Sequence, residues 1–184
     1  MVDFAICLGS DEVDDDDSFE GDGEAMAALR RRMKHIIRTS DESINATPYY
    51  SMRHRPIVIS IETKTESRTQ EEAQVQLAIW VAAQMQRIVA FAPSGARVLE
   101  NMVFPLIYVD SDKWSIFFAR GSLAPPEKEA SPQEQPKICI KIYEQVALGD
   151  TTSMLGVYTL LRGLRELGNW ASKNFRGWWE QILA

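Results

Sequence analysis

Cysteine is scarce in this chain: Cys7 and Cys139 are the only two in 184 residues. That excludes a disulfide scaffold and a zinc finger. No stretch approaches the roughly 18 consecutive apolar residues of a membrane span, so no membrane partner is expected. The two histidines, His35 and His54, stand apart without ligand spacing. Lys and Arg are missing from the first 24 residues, and Met1 to Asp17 shows no basic stretch leading into an apolar run. A secretory signal is therefore not expected, and an intracellular location, nucleus or cytoplasm, is. There is no internal repeat, no phosphate-loop glycine pattern around Gly9 or Gly149, and no EF-hand spacing in the Asp14–Asp17 run.

What is present is ordinary globular material, 45% hydrophobic and 25% charged. The length fits a single domain over residues 1–184, with the oligomeric state left open. The net charge of −6 divides unevenly. Residues 1–24 carry ten acids and no base, so residues 25–184 come to +4. A mildly basic body suits a polyanionic partner, or is simply a solvated surface.

Val2 to Leu8 alternates as a strand, with Val2, Phe4, Ile6 and Leu8 on one side. Gly9 to Gly23 is an acidic run with almost no apolar content, which predicts a flexible insertion dispensable for folding. Glu24 to Arg38 predicts a helix. Met26, Leu29, Met33, Ile36 and Ile37 form its stripe, and Arg30, Arg31, Arg32, Lys34 and Arg38 lie mostly elsewhere, a candidate nucleic-acid contact. After the turn-rich Ser40–Arg55, Ile57 to Lys64 is the clearest strand, rich in β-branched residues. Gln70 to Phe91 predicts a long helix stopped by Pro93. Phe104–Val109 and Trp114–Ala119 predict a hairpin, residues 121–136 a flexible loop, and Ile138–Tyr143 a further strand. Thr152 or Ser153 can cap a helix to about Leu167. Asn169–Leu183 closes the chain with an aromatic group read as packing rather than base stacking. Both cysteines lie on strands and are expected to be buried as small apolar residues. This order predicts an α/β (α+β) fold, a mixed central sheet flanked by helices.

The chemistry concentrates at Glu62-Thr63-Lys64. Alternation puts Glu62 and Lys64 on one side of the strand with Val58 and Ser60, and Ile57, Ile59 and Ile61 on the other. A carboxylate can ligate a hard cation such as Mg²⁺ or Mn²⁺, and a neighbouring ammonium can orient a water or neutralise a phosphoryl oxygen. A second carboxylate is needed, and Asp3 supplies one if the Val2–Leu8 strand runs antiparallel beside the Ile57 strand. Taken alone, Glu-x-Lys on a strand is most often an exposed ion pair.

The segment Arg55-Pro-Ile-Val-Ile-Ser-Ile-Glu-Thr-Lys64, followed by Glu72-Ala-Gln-Val-Gln-Leu-Ala-Ile-Trp80, resembles the fungal PD-(D/E)XK nuclease-like proteins. Val2-Asp3-Phe4, Ser43 to Thr47, Gly149 to Ser153, Gly156-Val-Tyr158 and Trp178-Trp179 extend the resemblance over nearly the whole chain. It implies a restriction-endonuclease-like fold, Asp3 and Glu62 as metal ligands, Lys64 as the catalytic lysine, and Gln76 as a helix residue supporting the site. Two functions are then expected as alternatives. One is a Mg²⁺- or Mn²⁺-dependent nuclease acting on nucleic acid. The other is an inactive or repurposed nuclease-like fold serving as an interaction module or accessory protein in another pathway.

Overall fold

The computed structural model describes residues 3–8, 22–40, 42–64, 69–91, 99–123 and 137–183. Most of the acidic Gly9–Gly23 run and nearly all of the loop expected at 121–136 lie outside these residues. The elements are β1 (Phe4–Cys7), α1 (Asp22–Ser40), β2 (Ile57–Thr63), α2 (Gln70–Phe91), β3 (Val103–Asp110), β4 (Lys113–Leu123), β5 (Ile138–Asp150), α3 (Met154–Trp170) and α4 (Arg176–Ile182). A single π-helical turn, Ala171–Phe175, joins α3 to α4.

The five strands among the described residues form one sheet in sequence order. Among these described strands only β2 and β3 are parallel, because α2 carries the chain back across the sheet between them; the other pairs are antiparallel. A strand with neighbours and cover on both sides must be apolar on both faces. Accordingly Ile57 through Glu62 are all buried. The edge strands differ. Phe4 and Ile6 on β1 are exposed, and Cys7 is only half-buried. Cys139, on the other edge strand, is exposed. The expectation of two buried cysteines fails because an edge strand has one unpaired flank.

α2 begins at a capping box. Thr69 Oγ1 accepts from the Glu72 N–H at 3.2 Å, and Glu72 Oε2 accepts from the Thr69 N–H at 2.8 Å. Its inner face, Ala73, Leu77, Val81, Gln84, Met85 and Ile88, is buried. Leu77 shares a groove with Leu106 and Phe117, which fixes the sheet face that α2 covers. α3 covers the other face over β4 and β5, capped by Ser153, whose hydroxyl accepts from the Gly156 N–H at 3.0 Å. The closing aromatic residues pack as expected: Phe175, Trp178 and Trp179 are buried, and Phe104 meets Phe175 and Trp178 edge-on at 6.1 and 5.9 Å.

Two strands run longer than their patterns indicate. β4 continues through Gly121, Ser122 and Leu123, which pair with Ile140, Cys139 and Ile138. Those three positions are therefore strand, not the start of a loop. β5 continues past Tyr143 to Asp150 across register shifts, and such bulges break the alternation that marks a strand in sequence.

Candidate active site

The site is assembled by register. Phe4 pairs with Ile61 in the antiparallel β1–β2 ladder, which brings Asp3, the residue before β1, to the end of β2. Glu62 pairs with Tyr108 in the parallel β2–β3 ladder, and Tyr108 with Ser115 in β3–β4. Residues opposed in a ladder share a face. Glu62, Tyr108 and Ser115 therefore form a polar row across three strands, on the face that α2 covers. One step further along, Lys64 lies beside Asp110, and Asp110 pairs with Lys113.

Burial sorts these groups. Glu62 is 0% exposed and Tyr108 2%. Lys64 and Asp110 stand at the rim, their side chains about one-third exposed, with Nζ 3.3 Å from Oδ2. An exposed Glu62–Lys64 ion pair is thus not what this strand end carries. Taking a carboxylate out of water costs several kcal/mol unless it is engaged. Asp3 is exposed, and its Oδ2 accepts from the Thr63 N–H at 2.9 Å and the Thr63 hydroxyl at 2.6 Å. These two bonds tie the Asp3 carboxylate to the end of β2. Gln76 is half-buried on α2, between the inward-facing Ala73 and Leu77.

Tyr108 and Asp110 escaped the sequence reading. Burial, then the Asp110 charge, pushes the Tyr108 phenol up from its ordinary pKa, and Lys64 opposes this. Tyr108 is therefore a neutral donor in the working pH range. The signal was available: Tyr108 and Asp110 sit two apart at the end of a strand running parallel to Ile-Glu-Thr-Lys, and so share its polar face.

The basic face of α1 lies elsewhere. Arg31, Arg32, Lys34 and Arg38 are exposed and Arg30 half-buried. Burial lowers the His54 pKa, and the charges of Arg55, Lys34 and Arg30 lower it further. Those cations therefore gather at the start of β2, while Lys64 follows its end, roughly 20 Å away at about 3.3 Å per residue.

The start of β2 is held by a buried amide pair. Asn45 Nδ2 donates to the Met52 and Arg55 carbonyls at 2.5 and 2.8 Å, and its Oδ1 accepts from the Ile57 N–H at 3.0 Å and Gln84 Nε2 at 3.1 Å. Gln84 Oε1 in turn accepts from the Ala46 N–H at 2.9 Å.

A comparison with family models matches residues 1–176 to the PD-(D/E)XK nuclease superfamily. The chain belongs to the PD-(D/E)XK nuclease superfamily. No curated protein and no solved structure matches it. Its mixed sheet with helices on both faces is the restriction-endonuclease-like arrangement. PD-(D/E)XK nucleases generally use divalent metal ions. Among the described residues, no group of three or more His, Cys, Asp or Glu is placed to hold one. Mg²⁺ does not require such a cage; it keeps waters and takes one or two carboxylates together with substrate phosphate. Two hard-oxygen side chains at the end of β2, Glu62 and the Asp3 carboxylate held on the adjacent Thr63, are of the kind that donor set uses. No helix among the described residues is long and apolar enough to cross a membrane.

Proposed function

We propose that this protein is a Mg²⁺- or Mn²⁺-dependent phosphodiesterase that cleaves nucleic acid inside the cell, in nucleus or cytoplasm, and that it belongs to the fungal branch of its superfamily. The observation that carries the reading is the fully buried Glu62 near the end of β2, with Asp3 bonded to the next residue, Thr63, and Lys64 following at the rim. Asp3 and Glu62 would hold the ion. When bound, a divalent ion supplies Lewis-acid polarisation of the phosphodiester. Lys64 is the catalytic lysine: its ammonium orients the attacking water and neutralises charge on the phosphoryl oxygens. Asp110, 3.3 Å from Nζ, keeps the ammonium at the rim, where substrate can reach it. Gln76 supports this arrangement from α2. Arg30, Arg31, Arg32, Lys34 and Arg38 contact the phosphate backbone, with Arg30 and Lys34 near the start of β2, roughly 20 Å from Lys64 at about 3.3 Å per residue.

One observation favours the repurposed-fold reading: Asp3 is engaged by Thr63 and Lys64 by Asp110, so both groups already have partners. Cleavage assays separate the two readings. Lys64→Ala should abolish Mn²⁺-dependent cleavage while keeping metal binding, because an ammonium cannot ligate a cation. Glu62→Ala should lose both. Wild-type protein that cleaves no single- or double-stranded DNA or RNA in Mg²⁺ or Mn²⁺ would leave the accessory-module reading standing.

A further inference from the structure

We infer that the Tyr108 hydroxyl is a substrate-contacting residue of this site, donating a hydrogen bond to a non-bridging oxygen of the bound phosphodiester; the assignment rests on the nuclease reading above. Tyr108 is 2% exposed, and its hydroxyl is buried without a hydrogen-bond partner among the described residues. Buried phenols are ordinarily bonded, and one left bare is destabilising. A phenylalanine would fill the same space, so no hydrogen bond among the described residues accounts for the hydroxyl. A group that arrives from outside would account for it.

The position says which group. Tyr108 stands opposite Glu62 on one neighbouring strand and Ser115 on the other. It is two residues before Asp110, which holds Lys64. A phosphodiester engaged by Lys64 presents non-bridging oxygens that only accept hydrogen bonds, and the phenol O–H is a neutral donor on the same face. Shielded from water, such a donor is stronger than at the surface and is already oriented before charge develops.

Wild type, Tyr108→Phe and the site marker Glu62→Gln decide the matter. Their thermal unfolding is compared with Mn²⁺-dependent cleavage of a labelled single-stranded DNA, or of the RNA of the same sequence if wild type cleaves only that. Tyr108→Phe should melt at or above wild type, yet fall roughly 10- to 100-fold in kcat/KM, the range for one donor to a charged group. Glu62→Gln should be inactive. Wild-type turnover by Tyr108→Phe overturns the proposal. So does a large fall in its melting temperature, which would mean the hydroxyl is bonded within the fold. Should wild type cleave nothing, the nuclease reading fails and Tyr108 is judged by binding of the labelled DNA in Ca²⁺. A roughly tenfold weaker affinity of Tyr108→Phe supports the phosphate contact. Equal affinity, or no binding by either protein, overturns it.

Discussion

Asn45→Ala should destabilise the protein by about 3–5 kcal/mol, although Asn45 lies in an irregular segment far from Lys64. Its side chain makes four hydrogen bonds, to Met52, Arg55, Ile57 and Gln84, and the residue is 2% exposed. At about 1 kcal/mol net for each, their loss comes to about 4 kcal/mol. Two opposing effects set the range. Gln84 is itself 2% exposed, so its freed amide stays dry, whereas Met52 and Arg55 are half-buried and regain some water. For a chain of this size the loss corresponds to a fall in Tm of roughly 10 °C. Urea unfolding with a shared m-value measures it. Asn45→Asp tests the mechanism, since it keeps the shape but faces a carboxylate toward two carbonyls. It should be at least as damaging at neutral pH and recover as the carboxyl protonates. Thr39→Ala, which removes only exposed bonds within α1, should change stability by under about 0.5 kcal/mol. A loss below about 1 kcal/mol for Asn45→Ala would refute the reasoning. The consequence reaches the site, because Asn45 fixes where β2 begins. A one-residue slip of β2 turns Glu62 to the opposite face.

Further outcomes follow from particular contacts. Gly149 holds φ at 153°, and a Cβ there would sit 2.7 Å from the Leu160 backbone nitrogen and 2.8 Å from the Gly156 carbonyl oxygen, so Gly149→Ala should lose at least about 2 kcal/mol in the same urea assay. His54 has a pKa below its ordinary value, through burial and then the charges of Arg55, Lys34 and Arg30. As pH falls the unfolded chain takes up the proton first, so the stability His54 contributes is complete above the ordinary value of about 6.5 and is lost as pH falls from there through the lower folded value. His54→Asn should therefore flatten the fall in Tm between about pH 7.5 and 5.5, and an unchanged slope would show the imidazole has no part in it. If α1 binds the nucleic-acid backbone, the triple variant Arg31→Ala, Arg32→Ala, Lys34→Ala should reduce the dependence of log affinity on log salt by about 2–3. An identical salt slope would remove α1 from the interface.

Strong local patterns carried most of the fold. β2 and α2 are legible because β-branched density and an uninterrupted helical run each point one way, and α2 begins and ends at the residues its pattern indicates. The second half of β5 is not, because bulges scramble its alternation, and the end of β4 is not, because long-range pairing with Ile138–Ile140 rather than local preference holds Gly121, Ser122 and Leu123. β1 shows another limit: alternation gives two faces but not which one is covered, and Phe4 and Ile6 turned out exposed. Asp3, Glu62 and Lys64 could be named from strand alternation and the family resemblance. Tyr108, Asp110 and the Asn45–Gln84 pair could not, since each acquires its meaning only when β3 is laid beside β2 or α2 against residues 43–57. The distance from the α1 cations to Lys64 is likewise a property of the assembled sheet.

The most direct test of the account is a Mn²⁺ titration of wild type and Glu62→Gln, followed by calorimetry or by the Mn²⁺ resonance signal, with folding of both checked by circular dichroism. Wild type should bind the ion, and Glu62→Gln, which replaces a carboxylate by an amide of the same shape, should lose that binding while still folded. Equal Mn²⁺ affinity of the two folded proteins, or no binding by wild type, would contradict the claim that Glu62 is the metal-holding acid of a nuclease site.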